Sequence, residues 1–184
     1  MVPRIASLYD EPFADSSQIP TFLVSQLARE SVTVALSGDG GDEVFAGYNR
    51  HVWAAGLWNK IEWIPRIARS GAAGTIESIS PQTWDRGFEK MGRFLPGWMR
   101  HRRPGFKLHK FARGLRAHDS LDFYDRLSSL WPDPAGVACG VESLQAFRAP
   151  GLQRLPDFTS QMMLQDMCRY LPDDILCKVD RASM

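Results

Sequence analysis

Apolar residues along most of this chain recur at helical rather than strand spacing. Phe22, Leu23, Leu27 and Ala28 form a stripe of the kind one helix face requires. Ser17 ahead of it can cap the helix, Pro20 suits its first turn, and the stripe ends near Glu30. Residues 1–18 before it are irregular, with turn and cap material at Asp10-Glu11-Pro12 and Asp15-Ser16-Ser17. The run Val32-Thr33-Val34-Ala35-Leu36 differs in kind. It is short, unbroken and rich in β-branched side chains, so it predicts a strand buried on both faces, as in a parallel sheet. Helical spacing then resumes. Asp42-Glu43 are predicted to open a helix through Val44 and Phe45 to about Trp53. Trp58, Ile61, Trp63, Ile64 and Ile67 predict a helix interrupted at Pro65, and Thr83 to Phe94 predicts another. Arg100 to Gly105 breaks the pattern before Phe106 to Leu115 restores it. Ser120 to Leu130 and Val141 to Phe147 predict short helices on either side of a Trp131-Pro132-Asp133-Pro134 loop. Thr159 to Tyr170 predicts a stronger one with Met162, Met163 and Met167 inward, and Pro172 opens a last helix from Asp173 to Met184.

This pattern gives one strand among many helices, without internal repeats or low-complexity segments. A lone parallel-type strand cannot satisfy its own backbone groups. Its partners are either hidden in weaker segments or outside these residues, and the resemblance described below favours the second reading. The fold class is therefore α/β, mostly helical in this stretch.

Composition narrows the function. A chain of 184 residues, 44% hydrophobic and 23% charged, suffices for one domain with a core. A net charge of +1 creates no global field for nucleic acid or membrane. The apolar runs are too short to span a bilayer, and no apolar h-region follows Met1-Val2-Pro3-Arg4. Cys139, Cys168 and Cys177 are odd in number and scattered, which argues against a disulfide framework and for a reducing cytoplasm. They are expected to be buried thiols, and the six tryptophans core or interface anchors. His51, His101, His109 and His118 show no metal-ligand spacing. Arg100 to Arg116 holds seven Lys or Arg residues and no acid, interleaved with Phe106 and Phe111. A non-catalytic basic helical binding module is one reading of that segment. A solvated basic face is preferred, because the rest of the chain balances the charge.

The candidate chemistry lies behind the apolar run, in Ser37-Gly38-Asp39-Gly40-Gly41-Asp42-Glu43. Small residues let backbone N–H groups approach a phosphate, and the carboxylates can hold the magnesium that travels with it. The same acids at a helix start would also suit the helix dipole, so a purely structural reading stands beside the functional one. Lys178 and Arg181 lie three apart on one helical face, where a cation could neutralise phosphate or simply be solvated beside Asp180. Asp173 and Asp174 are read as helix-start acids.

Three segments carry a resemblance. Asp10-Glu11-Pro12-Phe13-Ala14-Asp15-Ser16-Ser17-Gln18-Ile19-Pro20-Thr21 resembles the run before the second nucleotide loop of bacterial glutamine-hydrolysing asparagine synthetases. Ser37 to Glu43 with Val44-Phe45-Ala46-Gly47-Tyr48 is similar to that loop, and Leu171 to Met184 is similar to the family's late helix. They occur in the family's order.

The resemblance implies a synthetase domain of the ATP-pyrophosphatase type, with a parallel sheet. It would use ATP and Mg2+ to adenylate the side-chain carboxylate of aspartate, after which ammonia derived from glutamine displaces AMP to give asparagine. Relatives with the same loop amidate other carboxylates. In these terms Asp42 would hold magnesium, and Ser37, Gly38, Gly40, Gly41, Glu43 and Arg181 would meet the nucleotide. Asp39 and Lys178 would take catalytic roles. Asp39 stands where well-known members carry glutamate, one methylene longer. Neither the family's Ser-Gly-Gly-x-Asp-Ser loop nor its N-terminal glutaminase domain is found in these residues. Residues 1–184 are therefore expected to be part of a synthetase domain, truncated at both ends and inactive alone, from a parent that the sequence leaves free to be a homo-oligomer.

Overall fold

A computed structural model describes residues 7–9, 13–91, 104–129, 131 and 147–184. Its helices are α1 (Gln18–Arg29), α2 (Gly41–Phe45), α3 (Asn49–Ile61), α4 (Arg66–Glu77), α5 (Pro81–Met91), α6 (Pro104–Leu115), α7 (Ser120–Ser128), α8 (Phe158–Cys168) and α9 (Cys177–Ser183). A 3-10 turn occupies Leu152–Arg154, and a π-helical segment, Leu171–Leu176, runs directly into α9. The chain divides into two compact units, Met1–His51 with Arg148–Met184, and Val52–Phe147.

In the first unit α1 packs on α9 and α2 on α8. Asp157 caps α8, its carboxylate accepting from the Ser160 amide at 2.9 Å and the Ser160 hydroxyl at 2.7 Å. Met162, Leu152, Ile175 and Ala182 are buried, but so are Gln18, Glu43, His51, Gln165, Asp166 and Lys178. Buried polar groups persist only when hydrogen-bonded, and Gln165 shows how, its side-chain oxygen accepting from the Ala149 amide at 3.0 Å. Large apolar side chains of the same unit, including Val34, Leu36 and Phe45, face outward.

The second unit has a more conventional interior. Helices α4, α5 and α7 each pack on α6, burying Ala73, Ala112, Leu115, Phe123 and Tyr124. The Trp58 ring lies on Phe123 with centroids 5.5 Å apart, and the Arg69 guanidinium covers Trp58 at 5.2 Å. The Trp84 indole donates to the Ile76 carbonyl at 3.1 Å. Arg116, just past the end of α6, pairs with Glu77 at 2.6 Å. Asp119 caps α7 by accepting from the Asp122 amide at 2.7 Å.

Several expectations hold. The helix after Ser17, the interruption at Pro65, the resumption before Leu115 and the helices near 120 and 159 are all present. Others need correction. Residues 32–36 form no strand, and no sheet occurs among the described residues. Leu36 is 99% exposed. A strand needs a neighbour for its amides and carbonyls, and no described segment supplies one. The helix expected from Asp42 to Trp53 is two helices, because Ala46 turns left-handed at φ 54 and ends α2. Ser17 sits at the N-cap of α1, but its hydroxyl donates to Asp15 instead of accepting from the helix. Cys168 is exposed and Cys177 half-buried, against the expectation of buried thiols. Trp53, Trp63 and Trp131 are exposed, whereas Trp58 and Trp84 take part in packing. The expected helix at Val141 to Phe147, apart from Phe147 itself, and most of the 131–134 loop, like Cys139 and Arg100 to Arg103, lie outside the described residues. No helix among the described residues is long and apolar enough to cross a membrane.

Candidate functional site

The loop after Leu36 lies at the surface of the first unit. Ser37 donates from its hydroxyl to Asp39 at 2.6 Å, and the Gly41 amide closes a turn onto the Gly38 carbonyl at 3.2 Å. Gly40 has φ 88, in the left-handed region that a side chain resists. A Cβ there would sit 3.7 Å from the Leu171 side chain, so this turn lies against the start of the π segment. Among the described residues, the amides of Gly38, Asp39 and Gly40 donate to nothing.

The loop acids separate. Asp39 and Asp42 are exposed. Asp42 lies in the first turn of α2, its carboxylate so close to Gly47 that a Cβ at 47 would collide with it. Glu43 turns inward, is only 1% exposed, and accepts a short hydrogen bond from the Tyr48 hydroxyl. Burial, then that bond and the Glu43 charge, push the Tyr48 phenol well above its ordinary value.

Behind this lies a knot of charged and aromatic groups. The Arg50 guanidinium stacks over Tyr48 at 3.9 Å and over Tyr170 at 4.5 Å. Its Nη2 donates to Asp166 Oδ2 at 2.8 Å, and His51 Nε2 meets the same oxygen at 2.9 Å. Burial, followed by the Asp174 charge and hydrogen bond, raises the Tyr170 phenol as well.

Lys178 is 8% exposed. Its ammonium donates to Asp15 Oδ2 at 3.0 Å and to Ser17 Oγ at 2.9 Å, while the Ser17 amide donates to Asp15 Oδ1 at 2.8 Å. Burial alone would raise the Asp15 carboxyl, but the Ser17 hydrogen bonds and Lys178 outweigh it and hold the group below its ordinary value. Arg181 is exposed, with Asp180 Oδ2 at 4.0 Å.

Segments 13–17, 37–48 and 166–181 thus meet within one unit. Sequence reasoning named the loop and the two cations but missed Tyr48, Arg50, His51, Asp166 and Tyr170. No spacing signals them, since Arg50 and Asp166 are 116 residues apart. Among the described residues no group of three or more His, Cys, Asp or Glu side chains could hold a metal by itself. Exposed Asp42 and Asp39 fit a magnesium that arrives on phosphates instead, since that ion keeps its waters and needs only one or two protein carboxylates.

The family model described as asparagine synthase matches residues 1–184. A putative glutamine-hydrolysing asparagine synthetase 2 of Methanocaldococcus jannaschii is 56% identical over 52 residues, 28% of this chain and 10% of that protein. Glutamine-hydrolysing asparagine synthetase 1 of Bacillus subtilis is 50% identical over 48 residues, 26% of this chain and 8% of that protein. A putative glutamine-hydrolysing asparagine synthetase of Mycobacterium tuberculosis is 27% identical over 190 residues, spanning 100% of this chain and 25% of that protein. The chain therefore spans a quarter or less of the length of these relatives. No solved structure matches it significantly.

Proposed function

This chain belongs to the asparagine synthase family, and we propose that it supplies part of a synthetase domain that forms an amide at the expense of ATP. In this reading residues 1–184 are one piece of a parallel-sheet domain of the ATP-pyrophosphatase type. The protein works in the cytoplasm, and the piece alone does not turn over. The substrate carboxylate of aspartate attacks the α-phosphorus of ATP, pyrophosphate leaves, and ammonia derived from glutamine displaces AMP to give asparagine.

The chain's own residues divide the work by where they stand. Ser37, Gly38, Gly40 and Gly41 present backbone groups to the nucleotide at an exposed turn. Preorganised amides there stabilise charge that builds on departing phosphate without reorganising. Asp42 would hold the magnesium, and Asp39 is the second exposed acid of the loop, the one assigned to the step on the substrate carboxylate. Bound magnesium would supply charge neutralisation on the leaving group. Glu43 serves from behind, holding Tyr48, and Arg181, the exposed cation of the late helix, brings positive charge toward the pyrophosphate side.

One observation carries this reading. Three segments far apart in sequence meet in one unit, with the unbonded amides of the loop beside the start of the late helix. Aspartate-dependent ATP–pyrophosphate exchange tests it in the intact protein carrying these residues. Asp42→Asn should lower exchange by about 100-fold or more, the scale of losing one preorganised electrostatic contact. Because Asp42 is exposed, the unfolding free energy should move by no more than about 0.5 kcal/mol. Exchange that stays near wild type removes the metal assignment, and asparagine made by the 184-residue chain alone refutes the proposed division of the domain.

A further inference from the structure

Lys178 is the more completely engaged of the two cations in the late helix. Two hydrogen bonds, from 2.9 to 3.0 Å, fix its ammonium to Asp15 and Ser17, and little of the residue reaches solvent. The acceptors are themselves tied together, since Ser17 donates to both Asp15 oxygens through its amide and its hydroxyl. An ammonium so engaged has one remaining donor. Swinging out of this pair to reach a phosphate would break both bonds and strip Asp15 of its cation, leaving a half-buried carboxylate without its counter-charge.

The same lysine stands two turns, roughly 10 Å along the axis, beyond Leu171, which lies against the Gly40 turn. The helix is therefore held at two points. Leu171 meets the nucleotide loop, and Lys178 is clamped to the segment before α1. Between them lies a π-helical stretch, a rare form that occurs mostly as single turns within α-helices and frequently at functional sites.

We infer that Lys178 is a positioning residue, held by Asp15 and Ser17, and not a ligand of the phosphates. Its pairing sets the distance between the late helix and the Ser37–Glu43 loop, and so the placement of the loop's amides and of Asp39 and Asp42. The inference rests on the synthetase reading given above and assigns one of its cations.

The test compares wild type, Asp15→Asn, Lys178→Met, the double variant and Lys178→Arg in the intact protein. ATP–pyrophosphate exchange is measured alongside the reactivity of Lys178 toward an amine-acetylating reagent. A positioning role predicts that both single substitutions lower kcat by similar factors, up to about 100-fold, as small misplacements do. KM for MgATP should stay nearly constant, and the double variant should be no worse than the worse single. Lys178→Arg, which keeps a cation against Asp15, should recover most of kcat where its unfolding midpoint matches wild type. Lys178 should resist acetylation in wild type and become reactive in Asp15→Asn. A many-fold rise in KM for MgATP with Lys178→Met but not Asp15→Asn overturns the inference in favour of a phosphate ligand. So does a loss of stability with kcat and KM unchanged, which would mean a purely structural tie. Background exchange in wild type refutes the synthetase reading instead. The acetylation arm then decides only the pairing: protection by added magnesium pyrophosphate overturns it, and protection lost in Asp15→Asn alone leaves the Lys178–Asp15 tie standing without the positioning role.

Discussion

Glu43 and Tyr48 show how single residues in this chain make opposite use of burial. Withdrawn from water, the Glu43 carboxylate depends on the Tyr48 hydroxyl. Tyr48→Phe keeps the ring but orphans that acceptor, and such orphans cost about 1–3 kcal/mol. Urea unfolding of the variant should show a loss of that size, and a loss below about 0.5 kcal/mol would mean that water or another donor replaces the phenol. The pH dependence has a definite sign. The Tyr48 phenol is raised above its ordinary 10.0, chiefly by burial and then by Glu43. The folded state therefore holds this proton more tightly than the unfolded one, and the stabilisation is complete below about pH 10 and lost as the pH rises beyond it. Asp15 runs the other way. Its carboxyl lies below the ordinary 3.8, because the Ser17 and Lys178 hydrogen bonds outweigh burial. Its contribution is present above that value and lost as the pH falls through it. An acid titration of unfolding should show a shallower low-pH arm in Asp15→Asn than in wild type.

Among the elements, the break between α2 and α3 is the most consequential. Alanine is the strongest intrinsic helix former, so Ala46 itself marks no stop, and the one local signal is Gly47 behind it. It nevertheless adopts φ 54, and the Gly47 amide returns to the Asp42 carbonyl at 2.9 Å. This short α2 lets Glu43 turn inward while Asp42 stays exposed. A left-handed alanine is strained by about 1–2 kcal/mol, part of which glycine's greater unfolded freedom offsets. Ala46→Gly should therefore stabilise the protein by up to about 1 kcal/mol in denaturant unfolding, and a destabilisation would show that the turn is not strained. The interruption at Pro65, by contrast, was legible, because proline acts on its own backbone. Pro65 sits at φ −54 and ψ 138, immediately before α4.

At the scale of the whole molecule, the two units place their residues by different rules. The second buries alanines, Leu115 and Phe123. The first encloses Glu43, His51, Gln165, Asp166 and Lys178 while Val34, Leu36 and Phe45 stay outside. Exposed apolar runs of β-branched residues invite pairing with other chains. Replacing Val34 and Leu36 together by lysine should reduce self-association of the 184-residue chain in sedimentation. Unfolding should be nearly unaffected, within about 0.5 kcal/mol per site. A large loss of stability would mean that the run packs against something in solution.

The sequence by itself determined the helices whose signals are local, the place of the glycine-rich loop and, through three ordered segments, the family. It also marked residues 32–36 as apolar and β-branched, but their predicted strand required hydrogen-bond partners that no described residue provides. Only the tertiary structure decided which charges meet. Lys178 finds Asp15 across 163 positions and His51 finds Asp166 across 115. Side-chain periodicity reports which face of an element turns inward, because it depends on neighbours three or four residues away. The partner that a buried charge acquires depends on how distant elements pack, and no local spacing encodes that.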